Sequence, residues 1–471
     1  MSETPSGETV KTSYWGVLRE AVRGSDRDFT VGPIGIAIFL LAVPMILEMS
    51  MESVFALVDI FFVARLGADA VAVVVLTESM LALVYAVSFG IAICATATVS
   101  RRIGEKDPDG AAGTATHVIY LGLMVSLLMS ILGVAMAPTM LTVLGGEPQV
   151  VTMGIPFMRI MLGGNIVIVF LFLLNAIFRG AGDGAIAMRV LWLANGLNIV
   201  LSPCFIFGVA FFPKLGVTGA AVGTTIGRGC GVLFALWYLL RGEKRFQIFR
   251  RHWRIDPPMI WKLARLSSSA VLQFLIGTAS WSVLARVVAG FGSEAVAGYG
   301  IALRMVVFSI LPALGLSNAA ATMVGQNLGA GKPERSEAAV WKAAKFNSVI
   351  YFFLGLIFVV FAHPIVSFFT AEPGVLAYGA DGLRIVAYGF VFYGFGMVLE
   401  TAFNGAGDTW TPTYLNLLVF WIFEIPIAYS LAYHFELGPR GVFWAITMAF
   451  SLLAVASGLL FKRGRWKKKV V

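Results

Sequence analysis

The chain has 471 residues, 58% of them hydrophobic and only 13% charged, with a mean hydropathy of +0.85. A soluble domain carries roughly a quarter charged residues, so this composition excludes a water-soluble globular body. The net charge of +9 does not mark a nucleic-acid binder, because the basic residues crowd short segments between long apolar runs.

Residues 1–33 are polar, of mixed charge, and read as a cytoplasmic leader with no cleavable signal. Within them residues 13–24, with Trp15 among basic neighbours, suit either a short interfacial helix or plain disordered chain. Apolar runs long enough to cross a bilayer then follow near 34–64, 70–99, 116–137, 153–176, 185–208 and 217–240. A basic linker, 241–261, leads to a second set near 262–290, 296–325, 345–369, 379–402, 411–434 and 441–461, and a basic tail fills 462–471. The run at 34–64 is too long for one upright span, so tilt or a bend at Pro44 is expected. The fold class is therefore all-α integral membrane, about twelve helices in two lobes, 34–240 and 262–461.

Most of the 35 Lys and Arg residues fall on one side of this layout. They include Lys11, Arg101, Arg102, Arg179, Arg189, Lys244, Arg245, Lys332 and the tail cluster, against Arg65, Lys214 and Arg440 on the other. Cytoplasmic loops carry the basic excess, so both termini are expected in the cytoplasm of a cell with a plasma (inner) membrane. Cys94, Cys204 and Cys230 sit inside apolar runs without metal-ligand spacing and read as small hydrophobes.

An offset of 225 residues aligns the two lobes without a gap. Gly67 meets Gly292, Pro108 meets Pro333, Glu147-Pro148 meets Glu372-Pro373, and Arg159-Ile160 meets Arg384-Ile385. The turn Gly180-Ala181-Gly182-Asp183 meets Gly405-Ala406-Gly407-Asp408. Six spans separate the copies, so the repeat is parallel, related by an axis along the membrane normal. Each of these turns precedes a span, with Asp183 and Asp408 suited to helix N-caps or to closing a gate on that side.

A carboxylate in hydrocarbon is costly enough to need a function or a partner. Glu48, Glu52 and Asp59 in the first span point within about 40° of one another, and so face a protein interior. Acids this close favour a bound proton or cation. In the fifth span Asn195, Asn198 and Ser202 again share one face; the alternative role for all these groups is interhelical hydrogen bonding. Glu78, Glu400 and Glu424 are secondary candidates, and in the second lobe Gln273 and Leu284 stand where Glu48 and Asp59 would be. Arg286 and Arg304, inside their spans, are expected to partner acids or to reach the interface, and Arg159 and Arg384 to anchor helix starts.

Leu57-Val58-Asp59 with Leu66-Gly67, Asn198-Ile199-Val200-Leu201-Ser202-Pro203, Gly216-Val217-Thr218-Gly219-Ala220-Ala221 and the repeated Gly-Ala-Gly-Asp turn together resemble the multidrug and toxic compound extrusion (MATE) family. That resemblance implies export of amphipathic organic cations driven by H⁺ or Na⁺, by a chain that is likewise no enzyme, holds no cofactor and acts as a monomer in the bilayer. It implies a cation site at Asp59, Asn198 and Thr224. Where the family has an Asp, Ser202 stands here, leaving Glu48, Glu52 or Glu78 to supply the missing charge. Gly277 and Tyr393 occupy the places of second-lobe acids, which favours the DinF-like over the NorM-like branch. The alternative weighed against export is a lipid-linked oligosaccharide flippase, which needs a basic cleft; a membrane enzyme needs metal ligands or a nucleophile–base pair that these spans do not show.

Overall fold

The structure, a computed structural model, describes residues 14–241 and 247–469. Lys11, Lys244 and Arg245 of the expected basic face lie outside the described residues. The leader does form a helix, α1 (Tyr14–Arg23), whose last carbonyls, at Val22 and Arg23, accept from Arg189.

The first half runs α2 (Ile34–Ala64), α3 (Ala68–Gly104), α4 (Pro108–Val143), α5 (Pro148–Gly163), α6 (Asn165–Ala181), α7 (Gly184–Phe207) and α8 (Val217–Arg241). The second runs α9 (Pro257–Ala289), α10 (Ser293–Gly329), α11 (Pro333–Ser367), α12 (Pro373–Tyr388) and α13 (Phe390–Gly405). It ends in α14 (Trp410–Asn416), α15 (Ile425–Tyr429) and α16 (Pro439–Lys462), with π-helical stretches at Leu417–Glu424 and Ser430–His434 joining α14 and α15 into one span. Counting α5–α6 and α12–α13 as one broken span each gives twelve crossings, the expected number. Helices of up to 37 residues reach about 56 Å, so several project well beyond a hydrocarbon core of about 30 Å. The expected boundaries are correspondingly short: α9 begins at Pro257 and α11 at Pro333. Polar first turns there extend helices whose apolar middles alone are legible as spans. Pro44 lies inside an unbroken α2. Arg159 and Arg384 lie well inside α5 and α12, away from the starts where they were expected.

The repeat is visible in the elements themselves. Helix starts at Ala68, Pro108, Pro148 and Asn165 recur 225 positions later at Ser293, Pro333, Pro373 and Phe390. The break after α5 is at Gly164 and the break after α12 at Gly389, the latter bending its pair by 58°. Gly182 and Gly407 both adopt left-handed backbone, φ +87° and +81°, which only glycine takes without steric cost; this explains the repeated turn. Asp183 then accepts from the Ile186 amide and caps α7. Asp408 behaves differently: it accepts from Thr411 and pairs with Lys469 at 3.0 Å.

One hydrophobic core lies mainly in the first half, joined by Leu263 of α9, and another lies within the second. A third is shared: the first turns of α2, from Ala37 to Met45, pack with α10, α11 and α13. The halves also meet where glycines let backbones touch. An added Cβ would strike Met45 and Ile46 from Gly315, Gln326 from Gly104, Ser100 from Gly325 and Arg101 from Gly329. All four sites lie toward the face that carries the chain termini, so that face is shut.

Terminal segments reinforce the closure. Arg335 donates to the carbonyls of Phe29, Val31 and Gly32, and Lys332 to that of Thr30. In the tail Trp466 is fully buried against Phe461, Lys467 pairs with Glu334 and Glu337, and Arg101 donates to the Lys469 carbonyl. The linker docks on α4, where Arg251 and His252 meet Asp109 and His117 Nε2 accepts the Asp256 amide.

Candidate functional site

The polar groups of the first half form a column of three layers between α2, α6, α7 and α8. Nearest the termini Glu48, fully buried, accepts from Arg179 at 2.6 Å and from Asn175 at 3.0 Å. One turn on, Glu52 pairs with Arg228 at 3.0 Å and accepts from Asn195 at 2.8 Å. Arg228 is 1% exposed, reaches the Tyr85 hydroxyl and lies 5.1 Å from the Phe55 ring. Such pairs satisfy the desolvation requirement of buried charge by mutual neutralisation.

The third layer is different. Asn195 bonds Glu52, and both α2 and α7 run outward from the termini face. Two further turns along each, about 10 Å, bring Asp59 and Ser202 to the same depth. Ser202 donates to Asn198 at 2.8 Å, and the α8 backbone at Gly223 and Gly227 presses on Ser202 and Asn198. This places Thr224, one turn outward of Arg228, alongside them. Asp59 Oδ1 is buried and has no hydrogen-bond partner, and neither has Asn198 Nδ2. Arg228 and Glu78 lie within electrostatic reach of Asp59, and Arg304 within reach of Glu78.

A cavity of about 320 Å³ lies between the halves. The first half contributes Phe89, Thr96, Phe172 and Arg179; the second contributes Gln273, Phe274, Glu400, Asn404 and Asn416, among others. Phe89 stacks on Phe274 across the divide, centroids 5.1 Å apart. Glu424, the other expected acid of this half, is fully buried away from the cavity and accepts from Ser280 at 3.4 Å.

A family model, MatE, matches residues 44–204 and 269–430, two segments that begin 225 positions apart like the helices. The chain belongs to the MATE family. The probable multidrug resistance protein NorM of Thermotoga maritima is 24% identical over 438 residues, covering 92% of this chain and 93% of the relative. A solved structure described as the outward-facing conformation of a multidrug resistance MATE family transporter of the MOP superfamily superposes with TM-score 0.88 at 27% identity, over 95% of this chain and 99% of that one. A MATE crystal structure in complex with MaL6 gives 0.87 at 27% identity, over 97% and 100%.

Set against the expectations for this MATE chain, two assignments change. Arg179 is a buried residue of α6, 5% exposed, where a basic loop residue was expected, because α6 continues to Ala181. Glu48 and Glu52, expected as sources of the charge missing at Ser202, are each paired with an arginine. Arg228 was missed altogether. The signal was there: an arginine flanked by Gly227 and Gly229 in the middle of an expected span needs a carboxylate partner by the reasoning that singled out Glu52. Arg286 and Arg304 are exposed and make no ion pair among the described residues.

Proposed function

We propose that this MATE chain is a cation-coupled antiporter of the DinF-like kind that exports amphipathic organic cations by alternating access. The observation that carries the reading is the contrast within the first half: Glu48 and Glu52 are paired with arginines, while Asp59 makes no ion pair among the described residues and its Oδ1 is buried without a partner. An ion arriving there, H⁺ or Na⁺, finds an unsatisfied anion with Asn198, Ser202 and Thr224 at its depth. The basic face that carries both termini is placed in the cytoplasm by charge bias, and closure of that face makes the present state outward-facing. The similar outward-facing structure and the relatives named for multidrug resistance support this reading. The flippase alternative finds no basic cleft: among the described cavity residues the charges are Arg179, already paired, and Glu400.

A membrane potential of 100 mV supplies about 2.3 kcal/mol per charge moved, enough to bias two states separated by one or two kcal/mol. The test is uptake of a fluorescent organic cation into proteoliposomes with Na⁺ and pH gradients clamped separately. Transport should follow one gradient and collapse in Asp59→Asn, while equilibrium binding of the cation persists. Uptake indifferent to both gradients, or unchanged in Asp59→Asn, would refute the reading.

A further inference from the structure

The cavity wall formed by the second half carries four side-chain oxygens that accept no hydrogen bond: Gln273 Oε1, Glu400 Oε1, Asn404 Oδ1 and Asn416 Oδ1. They come from α9, α13 and α14, so three separate elements converge on one wall. Asn404 and Asn416 are 4% and 6% exposed. The repeat shows how the wall arose. Displaced by 225 positions, Glu48, Asn175 and Arg179 become Gln273, Glu400 and Asn404. The first half has an acid neutralised by an arginine and bonded by an amide, although Glu48 Oε2, Asn175 Oδ1 and Arg179 Nε have no partner. The second retains an acid and two amides but has no arginine, and Glu400 makes no ion pair among the described residues.

The cavity thus offers one carboxyl group without an ion pair within a cluster of acceptors, and is lined as well by the stacked Phe89–Phe274 pair and by Phe172, whose ring lies 5.0 Å from Phe89. Resting on the export reading above, we propose that this wall selects flat aromatic cations bearing N–H donors, protonated amines or amidinium groups, over fully N-alkylated cations of the same shape. Both kinds of cation meet the carboxyl group and the ring faces. Only the first delivers protons to the oxygens. The second displaces whatever water serves those acceptors and leaves them bare, which a site built from acceptors penalises strongly.

The experiment compares equilibrium binding of protonated 9-aminoacridine and its fully N-methylated analogue, 9-dimethylamino-10-methylacridinium, to purified full-length protein in nanodiscs by fluorescence. The two share ring system and charge. Wild-type protein should prefer the N–H cation by at least about tenfold, and Asn404→Leu and Asn416→Leu should each erode that preference. Equal affinities in the wild type, tighter binding of the methylated cation, or no binding of either overturns the proposal without recourse to any variant. Folded variants that keep the whole preference overturn the assignment to this wall. Binding needs no gradient, so efflux without the preference sinks this inference alone. The preference without gradient-driven efflux sinks the antiport reading alone.

Discussion

The Glu52–Arg228 pair allows the column to be tested as a set of charges. The guanidinium side chain is 1% exposed and the carboxylate 14%, so neither charge is screened by water. At an effective dielectric of about 20, opposite charges about 4 Å apart attract by about 4 kcal/mol. Removing one member of a buried pair typically costs about 3–5 kcal/mol, because the other charge is stranded. The two members are not equivalent. In Arg228→Met, Glu52 keeps the Asn195 donor and, as a carboxylate, has recourse to a proton. In Glu52→Gln the guanidinium cannot discharge; it keeps the Tyr85 hydroxyl, the Phe55 face and the neutral amide oxygen, with Asp59 within electrostatic reach. Glu52→Gln is therefore expected to destabilise more, by about 4 kcal/mol, and Arg228→Met by about 2–3 kcal/mol. The double variant should be more stable than the sum by about 2–3 kcal/mol. Unfolding free energies of the four proteins, measured reversibly in mixed detergent micelles, give the cycle. Additivity within about 0.5 kcal/mol, or a larger loss in Arg228→Met, refutes the argument.

Two other perturbations address the closed face. Gly325→Leu puts a side chain where even a Cβ meets Ser100, so spin labels on the termini-side ends of α3 and α10 should move apart by several ångströms; an unchanged distance distribution sinks the claim that backbone contact shuts this face. Asp28 accepts from the Thr30 amide and hydroxyl at 2.8 and 2.7 Å. Burial pushes its carboxyl upward, but those bonds together with Lys106 and Lys332 hold it below the ordinary 3.8. A depressed carboxylate contributes stability that is present above the ordinary value and lost as pH falls through the lower folded value. Hydrogen exchange across residues 24–33 should accordingly rise below about pH 4 in wild type and already be raised at neutral pH in Asp28→Asn. Equal exchange in the two proteins at pH 7 would rule out the role of Asp28.

The span count and the repeat were legible because both are written in strong one-dimensional signals. Apolar length sets the first, and residues such as Pro108, Pro148 and Gly182 recurring at fixed offset set the second. The narrow face of Glu48, Glu52 and Asp59 was legible too, since helix periodicity alone places the three together. Their partners were not. Arg179 lies 131 residues from Glu48 and Arg228 lies 176 from Glu52, and pairing at such separation depends on how helices rotate against one another, which composition does not encode. Arg179 was also misread because Gly180 and Gly182 suggested a loop, whereas the helix runs through the first glycine and turns only at the second. The four bare oxygens of the cavity were equally hidden: Gln273, Asn404 and Asn416 are unremarkable until three helices aim them at one space.

The two halves diverge in a way that follows from what a carried ligand requires. A buried acid that meets an arginine of its own chain is neutralised by it and needs no cation in this state. Of the four acids on the column and cavity walls, Glu48 and Glu52 are in that state. Asp59 and Glu400 are left incomplete, one in each half, each with a bare oxygen and no ion pair among the described residues. The repeat gives each of them a different environment. Asp59 stands at the depth of Ser202, where the proposed site would take a small ion. Glu400 stands on the wall of a cavity of about 320 Å³ flanked by aromatic rings, where a larger cation fits. Exchange of one positive charge for another between two such places needs no wire linking them. Each cation need only favour a different arrangement of the two bundles.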